Sequence, residues 1–161
     1  MEWLARSPDD MESIGAALAV SMPPARTCAI VVYLQGDLGA GKTTLARGFL
    51  HALGIAGTIR SPSYALVETY DAGELQVLHV DLYRLRDGHE FENLGLREAD
   101  SAGRVWLVEW PEKAEGRLPS PTLCLLLTAE QQGHRVVSRS SSAPGMAWLN
   151  SATPELSRLS Y

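Results

Sequence analysis

Gly36-Asp37-Leu38-Gly39-Ala40-Gly41-Lys42-Thr43 satisfies the pattern G-x-x-x-x-G-K-[ST], and it lies between an apolar run, Cys28 to Leu34, and a helical pattern, Lys42 to Leu53. In that setting the stretch reads as a phosphate-binding loop. Backbone N–H groups wrap a polyphosphate only where side chains leave the approach open, which glycine does at positions 36, 39 and 41. A helix that opens at Lys42 adds free N–H donors and the positive end of its dipole. The Lys42 ammonium is then placed for the terminal phosphates and the Thr43 hydroxyl for Mg²⁺. A glycine-containing turn can match the pattern by chance. The strand that enters it, the Leu45, Phe49, Ala52 and Leu53 stripe that leaves it, and the Gly54 stop all argue for the functional reading.

Upstream, Ser7-Pro8-Asp9-Asp10 is a helix start, with Ser7 as N-cap and acids in the first turn, and it predicts a helix over Pro8 to Val20. Pro23-Pro24 ends that segment, and Cys28 to Leu34 follows as a buried strand. Downstream, Ser61-Pro62-Ser63-Tyr64 is a proline-fixed, hydroxyl-rich loop. Tyr64 to Tyr70 and Leu75 to Tyr83 flank Asp71-Ala72-Gly73-Glu74 as an antiparallel hairpin, so the sheet is expected to be mixed. Alternation in the second hairpin strand puts His79, Asp81 and Tyr83 on one face and Leu78, Val80 and Leu82 on the other. The polar trio admits two readings. In one, Asp81 positions or activates water at the nucleotide; in the other, it is a strand-end acid paired with Arg84 beside a satisfied core histidine.

Glu90 to Asp100 reads as short helix and loop. Val105 to Val108 is a buried strand ending in Glu109-Trp110-Pro111. An acid directly after such a strand is a metal-associated carboxylate in phosphate-loop enzymes, which makes Glu109 the Mg²⁺ candidate; the plain alternative is a solvated strand-end acid. Thr122 to Thr128 and Arg135 to Ser140 form a closing hairpin around Gln131-Gln132-Gly133-His134. From Ser140 the composition turns to Ser, Ala and Pro. The organisation expected is therefore an α/β domain over residues 1–140, of P-loop NTPase fold with a mixed β-sheet flanked by helices, and a loosely attached tail over 141–161.

At 161 residues, 45% hydrophobic and 20% charged, the composition is that of an ordinary globular domain. The formal charge of −5 argues against a self-sufficient nucleic-acid surface, because phosphate-backbone affinity is built from clustered Lys and Arg. Cys28 and Cys124 lie in separate apolar runs and read as buried reduced thiols. No apolar run reaches membrane-span length and the N-terminus lacks a signal-peptide pattern, so a cytoplasmic protein is expected.

Taken in order, GDLGAGKTT at 36–44, SPSY at 61–64, HVDLYR at 79–84 and VEWP at 108–111 resemble the bacterial TsaE (YjeE) family. That family provides the ATPase of tRNA threonylcarbamoyladenosine biosynthesis. The resemblance spans roughly residues 8–140, and Ser63 departs from it where the family has Thr. It implies an ATPase that works with the TsaD–TsaB pair on the adenosine beside the anticodon of tRNAs reading A-starting codons, meeting tRNA only through the complex. It also implies that Leu38, Gly39, Ala40, Gly41, Lys42 and Thr43 bind ATP, that Thr43 and Glu109 hold Mg²⁺, and that Asp10 and Gly133 contact the nucleotide. With Lys42 and Asp81 as the catalytic pair, hydrolysis would be in-line attack of water on the γ-phosphate. No arginine finger and no enclosing lid can be read from the chain, so slow turnover without partners is expected. A small-molecule kinase, with Arg84 and Arg86 as phosphate clamps, and a nucleotide-gated scaffold are the alternatives.

Overall fold

The apolar run ahead of the phosphate loop becomes a middle strand of the sheet in the computed structural model, which describes residues 1–96 and 101–159. In chain order the elements are β1 (Glu2–Ala5), α1 (Pro8–Val20), β2 (Ile30–Gln35), α2 (Lys42–Ala52), β3 (Val67–Ala72), β4 (Leu75–Asp81), α3 (Gly88–Glu92), β5 (Arg104–Glu109), β6 (Leu123–Glu130), β7 (Gly133–Arg139) and α4 (Ala143–Leu156). The sheet order is β1-β7-β6-β2-β5-β4-β3. Its centre, β6-β2-β5-β4, is parallel, and the β3–β4, β6–β7 and β1–β7 pairs are antiparallel. This is the expected mixed sheet flanked by helices.

Alternation along the strands divides the core in two. Ile30, Val32 and Leu34 of β2 face α1, α2 and α4, with Ile14, Leu18, Leu45, Phe49 and Trp148. Val31 joins Leu78, Val80, Leu82, Phe91 and Trp106 on the opposite face. The apolar half of the alternation expected in β4 is thus a core face.

Helix α1 begins as its sequence signals: the Ser7 hydroxyl accepts from the Asp10 N–H at 3.1 Å, and the Asp10 carboxylate accepts from the Arg6 N–H at 3.0 Å. It crosses α2 backbone to backbone. A Cβ at Gly15 would strike the Leu45 carbonyl, and a Cβ at Gly48 would strike the Glu12 carbonyl. This close crossing presses α1 against the helix that starts at the phosphate loop.

Three expectations are corrected. Residues 143–156 form α4 and not a loose tail. Trp148, Leu149, Ala152 and Leu156 are buried in the α1 and α2 core, and Trp148 Nε1 donates to the Leu18 carbonyl at 2.9 Å. The helix also has its own start signal, a Ser142 hydroxyl that accepts from the Gly145 N–H. Cys28 is exposed, because β2 begins at Ile30 and leaves it in the preceding turn; Cys124 is half-buried, and burial raises its thiol pKa. An unexpected strand, β1, covers β7 at the sheet edge. Of the helix-and-loop segment expected at 90–100, residues 97–100 lie outside the described residues, as do 160–161 of the tail.

Candidate active site

The C-terminal ends of the parallel strands converge where an open α/β sheet binds its ligands. Strand β2 runs into the loop, whose glycines at 36, 39 and 41 have φ of 137°, 80° and 98°. These are conformations that side-chain-bearing residues rarely adopt. The β4–β5 register sets Asp81 opposite Glu109, and the β2–β5 register sets Leu34 opposite Glu109. Pairing of three strands therefore delivers both acids to the mouth of the loop. Residues 39, 41, 42, 43, 81 and 109 are among those that line a cavity of about 450 Å³ there, with Leu38, Ser61, Ser63, Tyr83, Arg84 and Trp110.

The Lys42 ammonium donates to the Gly36 carbonyl at 2.6 Å and the Asp37 carbonyl at 2.8 Å, and lies 3.9 Å from the centroid of the Trp110 ring. Burial lowers its pKa, against the opposing pull of Glu109, Asp81, Glu112 and Asp37. The Thr43 hydroxyl donates to the Glu109 carboxylate, with Oγ1 2.9 and 3.0 Å from its two oxygens. On the other side His79 Nε2 is 2.9 Å from Glu109 Oε1, while His79 Nδ1 is buried without a partner among the described residues. Glu109 is 2% exposed and His79 0%, so this carboxylate lies in the protein interior with a hydroxyl and an imidazole as its polar neighbours.

Asp81 is also buried. Its Oδ1 accepts from the Tyr83 N–H at 2.9 Å and its Oδ2 from the Ser61 hydroxyl. Asp81 is thus not paired with Arg84, whose guanidinium lies over the Tyr64 ring. The polar face of β4 ends at Asp81; Tyr83, beyond the strand, turns outward and packs on Trp110 with centroids 5.1 Å apart. The Ser61-Pro62-Ser63-Tyr64 loop is fastened at its start by Ser61 on Asp81, and two residues past its end the Leu66 carbonyl accepts from the Asp81 N–H at 2.9 Å.

Ala40 is buried beneath the loop, so only its backbone is turned to use there. Asp10 and Gly133 stand outside the cavity lining and meet at Arg6: Asp10 accepts from the Arg6 N–H, and a Cβ at Gly133 would be 3.0 Å from the Arg6 Cα. Helix α1 reaches the loop one residue further on, where Met11 packs on Gly41. The sequence reading left out Trp110 as a cover for Lys42 and His79 as a partner for Glu109. The β4 alternation already put His79 on the acid face, but the left-handed backbone of Trp110, φ 59°, has no sequence signal.

The donor set fits Mg²⁺. Thr43 and Glu109 offer hard oxygen ligands side by side, and Mg²⁺ takes few protein ligands and completes its shell with phosphate oxygens and water. Among the described residues no cluster of three or more His, Cys, Asp or Glu offers an alternative metal site.

A family model described as threonylcarbamoyl adenosine biosynthesis protein TsaE matches residues 5–137. The chain belongs to the TsaE family. It is 50% identical over 91 residues to the Haemophilus influenzae tRNA threonylcarbamoyladenosine biosynthesis protein TsaE, an alignment that takes in 56% of this chain and 58% of that protein. With the Bacillus subtilis protein of the same name it shares 34% identity over 138 residues, 86% of this chain and 84% of the relative. In fold it is similar to the crystal structure of Bacillus subtilis YdiB, with a TM-score of 0.73 at 24% identity over 96% of this chain and 94% of that one. The family match begins at the end of β1 and stops within β7, so α4 of this TsaE-family chain lies beyond it.

Proposed function

We propose that this chain is a Mg²⁺-dependent ATPase acting with TsaD and TsaB in the cytoplasmic formation of threonylcarbamoyladenosine in tRNA. Family membership supports the pathway. The observation that carries the chemistry is the contact of the Thr43 hydroxyl with the Glu109 carboxylate beside the Lys42 ammonium, three groups from the start of α2 and the end of β5 gathered at one glycine loop.

In this reading the backbone N–H groups of Leu38 to Thr43 and the Lys42 ammonium bind the phosphates of ATP, and Thr43 and Glu109 hold Mg²⁺. The metal would supply charge neutralisation at the β- and γ-phosphate oxygens. Lys42 needs no large motion to serve, since the Gly36 and Asp37 carbonyls already hold its ammonium within the loop. Asp81, its carboxylate oriented by Ser61 and Tyr83, accepts a hydrogen bond from the attacking water and aligns it with the γ-phosphorus. Asp10 and Gly133, which meet at Arg6 outside the cavity lining, form the outlying part of the nucleotide seat.

A formal charge of −5 leaves tRNA to be met through the partner proteins, and turnover by the isolated chain is slow. The test is threonylcarbamoyl-tRNA formation by TsaD and TsaB with and without this protein and ATP, using wild type and Lys42→Ala. Multiple-turnover product is expected only with wild type and ATP. Equal product without the protein, or with folded Lys42→Ala, would refute the reading.

A further inference from the structure

Two cations line the cavity, Lys42 and Arg84, and they are held very differently. Lys42 is fixed by two loop carbonyls and covered by Trp110. The Arg84 guanidinium rests 4.0 Å from the centroid of the Tyr64 ring, and no carboxylate pairs with it among the described residues. Tyr64 is 84% exposed, and Arg84 is exposed as well. A stack of this kind in water is weak beside the bidentate hydrogen bonds that a guanidinium makes to phosphate oxygens.

The backbone that carries Arg84 is, in contrast, firmly placed. Leu82 and Leu85 on either side are buried at 0% and 5% exposure, and the Leu85 N–H donates to the Leu82 carbonyl at 3.0 Å. The turn starts directly from Asp81, whose Oδ1 holds the Tyr83 N–H. A rigid turn thus presents a long, uncommitted cation at the rim of a phosphate-binding cavity. The same cavity has two buried carboxylates, Asp81 and Glu109, in its wall, so a bound polyphosphate adds negative charge where cations are already few.

We propose that Arg84 is an arginine finger supplied in cis, which leaves the Tyr64 ring and binds the γ-phosphoryl group as it is transferred. The proposal rests on the ATPase reading above. In the step it assists, the water oxygen bonds to the γ-phosphorus while the bond from that phosphorus to the β,γ-bridging oxygen breaks. The electron pair of the broken bond stays on ADP, and the water proton leaves with inorganic phosphate. Negative charge spread over the equatorial oxygens is what the guanidinium neutralises, so its hydrogen bonds strengthen in the transition state. With Arg84 resting on Tyr64 the finger is out of place until it is drawn in, so turnover by the isolated chain is expected to be slow.

Titration calorimetry of the full-length protein with MgADP, with and without aluminium fluoride, separates ground-state from transition-state binding, and single-turnover hydrolysis reads the rate. Arg84→Ala is expected to bind MgADP within about twofold of wild type, yet to lose about 100-fold or more in aluminium fluoride complex affinity and in hydrolysis rate. Arg84→Lys recovers only part, since an ammonium lacks the planar fork. Tyr64→Ala keeps the guanidinium and is expected to retain binding of the fluoride complex. The proposal is overturned if Arg84→Ala binds that complex as wild type does, if it weakens MgADP and the complex equally, or if Tyr64→Ala loses as much as Arg84→Ala. Wild-type protein that binds neither species would overturn the ATPase reading, and the arginine finger with it.

Discussion

Replacing His79 by leucine tests whether the site is built on a buried polar pair. The imidazole is 0% exposed, Glu109 is 2% exposed, and Nε2 lies 2.9 Å from Oε1. Leucine keeps most of the volume, so the cavity contribution is small and the cost is mainly that of a carboxylate losing its partner. Removing one member of a buried pair costs about 3–5 kcal/mol, and a hydrogen bond to a charged group is worth about 1.5–3. Two features favour the point where these ranges meet. The Thr43 hydroxyl still donates to Glu109, and the unpartnered Nδ1 disappears with the ring. The expected loss is therefore about 3 kcal/mol. With a urea m-value of about 2 kcal/mol per M, the unfolding midpoint falls by about 1.5 M. Adding Glu109→Gln to His79→Leu removes the stranded charge and is expected to restore stability to within about 1 kcal/mol of wild type. A His79→Leu loss below about 1 kcal/mol, or no recovery in the double variant, would refute the pairing as the element that holds Glu109.

Gly48→Ala places a Cβ against the Glu12 carbonyl at the α1–α2 crossing; overpacking of about 1–3 kcal/mol outweighs the roughly 1 kcal/mol gain in helix propensity, and a raised melting temperature would contradict the close crossing. Trp148→Ala empties a site 1% exposed and removes the donor to the Leu18 carbonyl, for an expected loss of about 3–5 kcal/mol in urea unfolding; a loss within 1 kcal/mol would mean that α4 is dispensable. Burial lowers the Lys42 pKa from 10.5, so in the free protein the ammonium is lost at a pH below that of an ordinary lysine. Initial MgADP affinity should therefore decline as pH rises towards 10.5. Because the unfolded chain holds that proton longer, this group makes stability rise with pH across the same window. Lys42→Met should abolish both trends, measured by calorimetry and by urea unfolding; trends that persist in the variant would assign them to another group.

What the sequence made legible follows from the range of each signal. The helix over Pro8–Val20, the two hairpins and the apolar face of Leu78, Val80 and Leu82 are set by local chemistry, by caps, glycines and a period of two; they form as expected, except that the first hairpin strand is Val67–Ala72 where Tyr64 to Tyr70 was expected. The side-by-side placement of Asp81 and Glu109 is a matter of register between strands far apart in the chain, which alternation alone does not specify. For the same reason alternation gave His79 a face but not its partner. The tail misled through composition: serine and proline suggested disorder, while Trp148, Leu149, Ala152 and Leu156 repeat at helical spacing behind a Ser142 cap. Disorder follows from too little apolar surface to bury, and Trp148 together with Leu149, Ala152 and Leu156 on one helical stripe reverses that balance. Arg84 shows the opposite limit. A salt bridge to Asp81 was the plain expectation for an arginine three residues from an acid, yet Ser61 and the Tyr83 N–H had already filled that carboxylate. Because local partners satisfy the acid, the guanidinium remains available at the cavity rim, and that availability is a property of the folded turn.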